Sequence, residues 1–270
     1  MSDLKSGGHN IHYEIIDLTA PWIETPETII FHHGVGANWR CWLGWFASLQ
    51  DRYRLLAFDM PGHGQSRPGD DGITIADLAA NVVALADAAD CAMFHLVGES
   101  IGGTVALQVA LDHPDRMASL TVSNGAHIGG SVENVNNWDA VINGDGKEGD
   151  GMEAWSDQMM AGRFDDDVLA PAVWDWYRAQ QASADPGTVL ALLRTLVSAD
   201  LSARLPEISA PTLLLHPDHS PFVPVPIMAD LHARILSAEL KVFPNAKHGL
   251  PFSHAGECAQ ALRQFLDGLI

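Results

Sequence analysis

Phe94-His95-Leu96-Val97-Gly98-Glu99-Ser100-Ile101-Gly102-Gly103 decides the fold. A short apolar run of strand length meets a glycine, a serine sits at the turn, and a helix-forming stretch begins at once. Such a turn is tight enough to demand small flanking residues, which Gly98, Gly102 and Gly103 supply. It leaves the serine in strained backbone at the sheet's carboxyl edge with its hydroxyl exposed. The pattern is that of a nucleophile elbow, with Ser100 as the nucleophile. The following helix N-terminus offers the Ile101 N–H to a developing oxyanion.

Similar apolar runs recur on both sides. Ile11–Ile16, Thr28–Phe31, Arg54–Phe58, Ser119–Val122, Thr212–Leu215 and Leu240–Phe243 each read as strands, most ending in Gly, Pro, Asp or Asn. Helix-like stretches separate them. Ile75–Ala88 places Leu78, Val82 and Leu85 on one face, Ile101–Leu111 follows the elbow, and Ile227–Leu236 and Cys258–Leu269 close the chain. The alternation predicts an α/β fold with a mostly parallel sheet and helices on both faces. It breaks between about 125 and 200. There Met152, Trp155, Met159, Met160, Trp174, Trp176, Tyr177 and Leu190–Leu196 recur at helical spacing after a Gly/Asp-rich loop holding Gly144, Gly146, Gly149 and Gly151. Residues 126–200 therefore read as a helical cap inserted into a core of 1–125 and 201–270.

Three more segments gather near the elbow. Phe31-His32-His33-Gly34-Val35-Gly36-Ala37-Asn38 ends a strand in a flexible turn, so the Val35 N–H is the expected second oxyanion donor. Phe58-Asp59-Met60-Pro61-Gly62-His63-Gly64-Gln65-Ser66 is turn chemistry that shapes the sheet edge. Phe243-Pro244-Asn245-Ala246-Lys247-His248-Gly249 puts a histidine in the loop after the last strand. From there it can reach the serine as general base. His216, Asp218 and His219 share one loop but are not expected to make a metal site, because such a cluster rarely coordinates well alone and no ligand from elsewhere in the chain is placed.

Composition narrows the partners. The 270 residues carry 34 Asp plus Glu against 15 Lys plus Arg, a formal charge of −19. Phosphate contacts need clustered cations, so nucleic acid and anionic membrane surfaces are excluded as expected partners. Cys41, Cys91 and Cys258 form no CxxC or disulfide framework, and there is no secretory h-region or run of about 18 apolar residues. The expectation is a cytoplasmic protein acting on a small molecule, with homo-oligomer formation left open.

These elements in this order resemble the α/β-hydrolase fold, with its eight-stranded type of sheet, over essentially the whole chain. Closer similarity is to 3-oxoadipate enol-lactonases and meta-cleavage-product hydrolases. It rests on Leu120–Gly129 after the sixth strand, on Trp138-Asp139-Ala140-Val141-Ile142 and Gly151-Met152-Glu153-Ala154, and on Gly36 with Arg40 and Trp42. The resemblance implies a serine hydrolase of a small carboxylic ester or lactone, of the kind met in aromatic catabolism. It implies a Ser100–His248 pair, an acyl-enzyme and no cofactor. C–C or amide bond hydrolysis, ligand binding with little turnover and cofactor-independent oxygenation remain open on the same residues.

The family's triad acid stands four residues before a proline after the seventh strand. Here the loop reads His216-Pro217-Asp218-His219-Ser220-Pro221-Phe222-Val223-Pro224, which puts Ser220 at that position. Asp218 is the acid expected to reach His248 through a reconfigured loop, because the alternative position after the sixth strand holds Asn124. Arg40, Trp42, Glu99, Trp138 and Trp155 are the expected substrate-side residues. Arg40, with Arg194, is a candidate for a substrate carboxylate.

Overall fold

The computed structural model describes residues 2–6, 8–68, 73–129, 135–144 and 151–269, with the side chains of 135–137 left aside. Gly146 and Gly149 of the Gly/Asp-rich loop lie outside the described residues.

Eight strands form one sheet among the described residues: β1 (Ser2–Ser6), β2 (His9–Ile16), β3 (Thr28–His32), β4 (Arg54–Phe58), β5 (Phe94–Glu99), β6 (Met117–Ser123), β7 (Thr212–Pro217) and β8 (Ala238–Phe243). Their order is β1-β2-β4-β3-β5-β6-β7-β8. The first two pairings, β1 with β2 and β2 with β4, are antiparallel, and all later ones are parallel. β3 and β5 are buried along their whole length, as strands covered on both faces must be. The reversal of strand order around β3 and β5 opens a crevice at their carboxyl ends, where α/β folds place their ligands.

The helices are α1 (Leu43–Phe46), α2 (Ile75–Ala88), α3 (Ile101–Asp112), α4 (Val135–Asn143), α5 (Met152–Arg163), α6 (Pro171–Ala182), α7 (Pro186–Ser198), α8 (Val225–Arg234), α9 (Leu250–Ser253) and α10 (Ala255–Asp267). α2 starts on a capping box in which Thr74 and Asp77 satisfy each other's backbone N–H. α8 begins two residues earlier than periodicity alone indicates, since Pro226 is tolerated in a helix's first turn. Two apolar clusters fill the two faces of the sheet. One joins α2, α3 and α7 through Leu78, Val82, Val105 and Leu192, and the other joins α1 and α10 through Trp42, Trp45, Leu262 and Phe265. Between β6 and β7 the described chain is helical, α4 to α7, and α5 packs on α6 while α4 packs on α7. No helix among the described residues is long and apolar enough to cross a membrane.

Candidate active site

The turn from β5 to α3 is as tight as its glycines imply. Ser100 has φ 55° and ψ −121°, a conformation non-glycine residues avoid and one that functional sites retain. A Cβ on Gly98 would stand 2.1 Å from the Gly102 carbonyl oxygen, and one on Gly102 would stand 2.4 Å from the His32 carbonyl oxygen. Neither backbone can yield, so only glycine fits. The Ser100 N–H donates to the Ser123 carbonyl at 2.9 Å, and its own carbonyl accepts from Gly103 N–H, which starts α3. Ile101 N–H is among the first N–H groups of that helix, which have no intrahelical acceptor.

His248 stands over the serine. Its Nε2 lies 3.2 Å from Ser100 Oγ, and Phe222 meets its ring edge-on with centroids 4.9 Å apart. Asn124 Nδ2 donates to the His248 carbonyl oxygen, which fixes the loop after β8 against the loop after β6. Burial, reinforced by the nearby Arg163 and His216, holds the His248 pKa well below the ordinary imidazole value.

The loop after β3 is clamped from several sides. His33 Nδ1 bonds the Gly34 carbonyl at 2.8 Å, and His33 Nε2 accepts from Met60 N–H at 2.9 Å. Gly36, at φ 77°, donates its N–H to His63 Nε2 at 2.9 Å. The turn around His63 therefore holds this loop, in keeping with its reading as a shaping element. Burial is the main cause that lowers the His63 pKa to about 4, so the ring stays neutral and can accept.

Arg163 completes the clamp, and the sequence reading passed over it. It is 2% exposed at the end of α5. Its Nη2 donates to the Val35 carbonyl at 2.6 Å, its Nε to Gln181 Oε1 at 3.0 Å, and its Nη1 to Glu99 Oε1 at 3.4 Å. Burial pushes the Glu99 carboxyl up, while Arg163 and the Gly34 N–H pull it back toward the charged form. The signal that could have found Arg163 is its spacing, since Trp155, Met159 and Arg163 recur every four residues on the buried face of α5.

Asp218 is not brought to His248. Its carboxylate bonds His219 Nδ1 at 2.6 Å and accepts from Ala246 N–H at 3.3 Å. The reason lies in the backbone. Asp218 N–H still bonds the Phe243 carbonyl, continuing the β7–β8 ladder, so the chain turns toward the histidine only two residues later. There Ser220 Oγ lies 2.9 Å from His248 Nδ1.

The expected substrate-side residues divide. Trp138 lines the cavity at Ser100 and packs on Phe222. Trp42 is a core residue against Phe31 and Trp45. Trp155 is fully buried behind the loop after β3, where a Cβ on Gly36 would come within 2.8 Å of its ring. Arg40 stacks over Trp39 at 4.9 Å, and Arg194 pairs with Asp139, so neither faces the cavity. Glu99 is engaged with Arg163 rather than directly lining the cavity. Val35, Ser100, Arg163, Trp138 and His248 meet around a cavity of ≈ 30 Å³ lined also by Met159, Leu193, Leu196 and Phe222. That holds about two waters, at ~10–15 Å³ each. No group of three metal-ligating side chains occurs among the described residues.

Several known proteins are similar to this chain. Residues 27–255 match the family model described as alpha/beta hydrolase fold. A putative carbamate hydrolase, RutD, of Variovorax paradoxus is 30% identical over 254 residues, covering 89% of this chain and 91% of its own. The dihydrolipoyllysine-residue acetyltransferase component of the acetoin cleaving system of Cupriavidus necator is 40% identical over 106 residues, but the match spans only 28% of that protein. Among solved structures, the enol-lactonase of Burkholderia xenovorans superposes with a TM-score of 0.90 at 23% identity, covering 98% of this chain and 100% of that one. A sheet with one strained serine at its carboxyl edge, a histidine after the last strand and a family match spanning most of the chain lead to one conclusion: the protein belongs to the α/β-hydrolase fold family.

Proposed function

We propose that this hydrolase cleaves a small, uncharged carboxylic ester or lactone through an acyl-enzyme on Ser100. The observation that carries the proposal is the 3.2 Å approach of His248 Nε2 to the hydroxyl of a serine held at positive φ. In this reading Ser100 Oγ attacks the carbonyl and passes its proton to His248. The N–H groups of Val35 and Ile101 stabilise the tetrahedral oxyanion, each by about 3–4 kcal/mol. His248 then protonates the leaving group, and water resolves the acyl-enzyme. Residues 126–200 act as the cap, since Trp138, Met159, Leu193 and Leu196 close the cavity.

Size and charge support the substrate class. A cavity of ≈ 30 Å³ suits a short acyl group, and any larger leaving group must sit where the cap gives way. Arg163 is the one cation lining it among the described residues, and Glu99 balances it, so a substrate carboxylate finds little net attraction. A carbamate is the second reading. It is small and neutral, and the relative aligned along most of its length carries that name. The three cysteines, all free and buried, fit a reducing cytoplasm.

A panel of p-nitrophenyl esters from acetate to octanoate, simple lactones and alkyl carbamates tests the proposal. Activity should be highest for the shortest acyl groups and vanish in Ser100→Ala. Activity that rises with chain length, or survives in Ser100→Ala, overturns it.

A further inference from the structure

Ser220 occupies the place a triad carboxylate would take, and its surroundings decide what it does there. Phe222 N–H donates to Ser220 Oγ at 3.3 Å and Val223 N–H donates to it at 3.1 Å. A hydroxyl has two lone pairs and one proton. With both lone pairs engaged by backbone N–H groups, the proton is what remains to face His248 Nδ1, 2.9 Å away.

We infer that Ser220 donates to His248 Nδ1 and so holds the resting imidazole with its proton on Nε2, facing Ser100. This inference rests on the acyl-enzyme reading above. A general base needs Nε2 free, so the resting tautomer is the unproductive one. Before Ser100 can give up its proton, the ring proton must pass to Nδ1 and Ser220 must rotate its own O–H away, surrendering one backbone bond. Ser220 is therefore a positioning residue that slows acylation. The two N–H groups form a carboxylate cradle occupied by a hydroxyl.

The groups that face His248 leave this assignment intact. Glu99 Oε1 lies 3.9 Å from Nε2, on the side where the proton is placed. Arg163 and His216, the other titratable neighbours, act on the ring as a whole and bond to neither nitrogen. Asn124 touches only the backbone carbonyl of His248.

The consequence is a gain of function. Ser220→Asp puts a charged acceptor into the cradle, forces the proton onto Nδ1 and supplies the missing counter-charge. Exchanging a triad carboxylate for a neutral donor costs roughly 10⁴ in kcat in a serine protease. The reverse exchange here should raise acylation by about 10²–10⁴. Ser220→Asn is the control, because its oxygen takes the two N–H bonds and its amide nitrogen then donates to Nδ1 as the serine does. It should give less than a tenth of the gain.

Two readouts test this. The ¹⁵N spectrum of histidine-labelled protein should show His248 with Nε2 protonated and Nδ1 bare, and the assignment should invert in Ser220→Asp. Fluorophosphonate labelling of Ser100 should speed up in Ser220→Asp and show no comparable gain in Ser220→Asn. A wild-type protein with Nδ1 protonated, or an Asn variant that gains as much as Asp, overturns the inference. If the tautomers are as stated but Ser100 is labelled in no variant, the tautomer assignment stands, whereas the acyl-enzyme reading and the role in acylation that rests on it both fall.

Discussion

Replacing Arg163 with Met keeps the side-chain volume and removes the charge that balances Glu99. In the wild-type protein both groups are out of water, at 2% and 4% exposure. Without the guanidinium the carboxylate must stay charged and unpaired or take up a proton. Protonation sets the ceiling. Starting from a reference value of 4.5, it costs at most about 3 kcal/mol at pH 7 and under about 1 kcal/mol at pH 5, at 1.36 kcal/mol per unit. The Val35 carbonyl also loses its donor, worth about 1–3 kcal/mol when left buried. The sum, about 4–6 kcal/mol at neutral pH, overlaps the usual cost of about 3–5 kcal/mol for breaking a buried pair. The sign is definite. A carboxyl whose folded pKa is raised loses stability as pH rises from its unfolded value through the folded one, so the variant should be relatively better at pH 5. Urea unfolding followed by tryptophan fluorescence at both pH values measures it. Glu99→Gln/Arg163→Met should recover about 2–3 kcal/mol at pH 7. An equal loss at both pH values, or a double variant no more stable than Arg163→Met, refutes the reasoning.

Three further outcomes follow from the geometry. Asp218→Asn should change kcat by less than about twofold, because the carboxylate bonds His219 and Ala246; a loss of several orders of magnitude in steady-state assays would put it back in the mechanism. Gly98→Ala should destabilise by about 3 kcal/mol, the upper range for overpacking, since its Cβ meets backbone at 2.1 Å; thermal melting reads this, and an unshifted midpoint contradicts the tight elbow. Burial holds His32 and His63 near pKa 4, so their stabilising effect is complete above the unfolded value of 6.5 and lost as pH falls toward 4. Each neutral ring then costs about 3 kcal/mol at the acid end, and a urea midpoint flat from pH 7 to 4 would contradict it.

Much of the fold was legible because it rests on local chemistry. β3 and β5, buried along their whole length, announce themselves as short, mostly apolar runs, and Gly98, Ser100 and Gly102 mark a turn that little else can make. β1 was missed because it is a polar edge strand, Ser2–Ser6, held by its backbone ladder to β2 and burying little side chain. His248 was legible from its place after the last strand. Its partner was not, because two cues conflicted. Counting back from Pro224 leads to Ser220, whereas the chemistry of a triad asks for an acid and leads to Asp218. The backbone sides with the count, since Asp218 is still paired to Phe243. Arg163 eluded the reading for another reason. An arginine at a helix end ordinarily faces water, and nothing local shows that Glu99, 64 residues earlier, lies beneath it.

The central claim is that Ser100 becomes acylated. Acid quench of the enzyme during steady turnover of p-nitrophenyl acetate, followed by peptide mass analysis, tests it most directly. The account predicts an acetyl group on the peptide carrying Ser100, absent from Ser100→Ala. Undiminished turnover by Ser100→Ala, or an acetyl group found only on another residue, would contradict it.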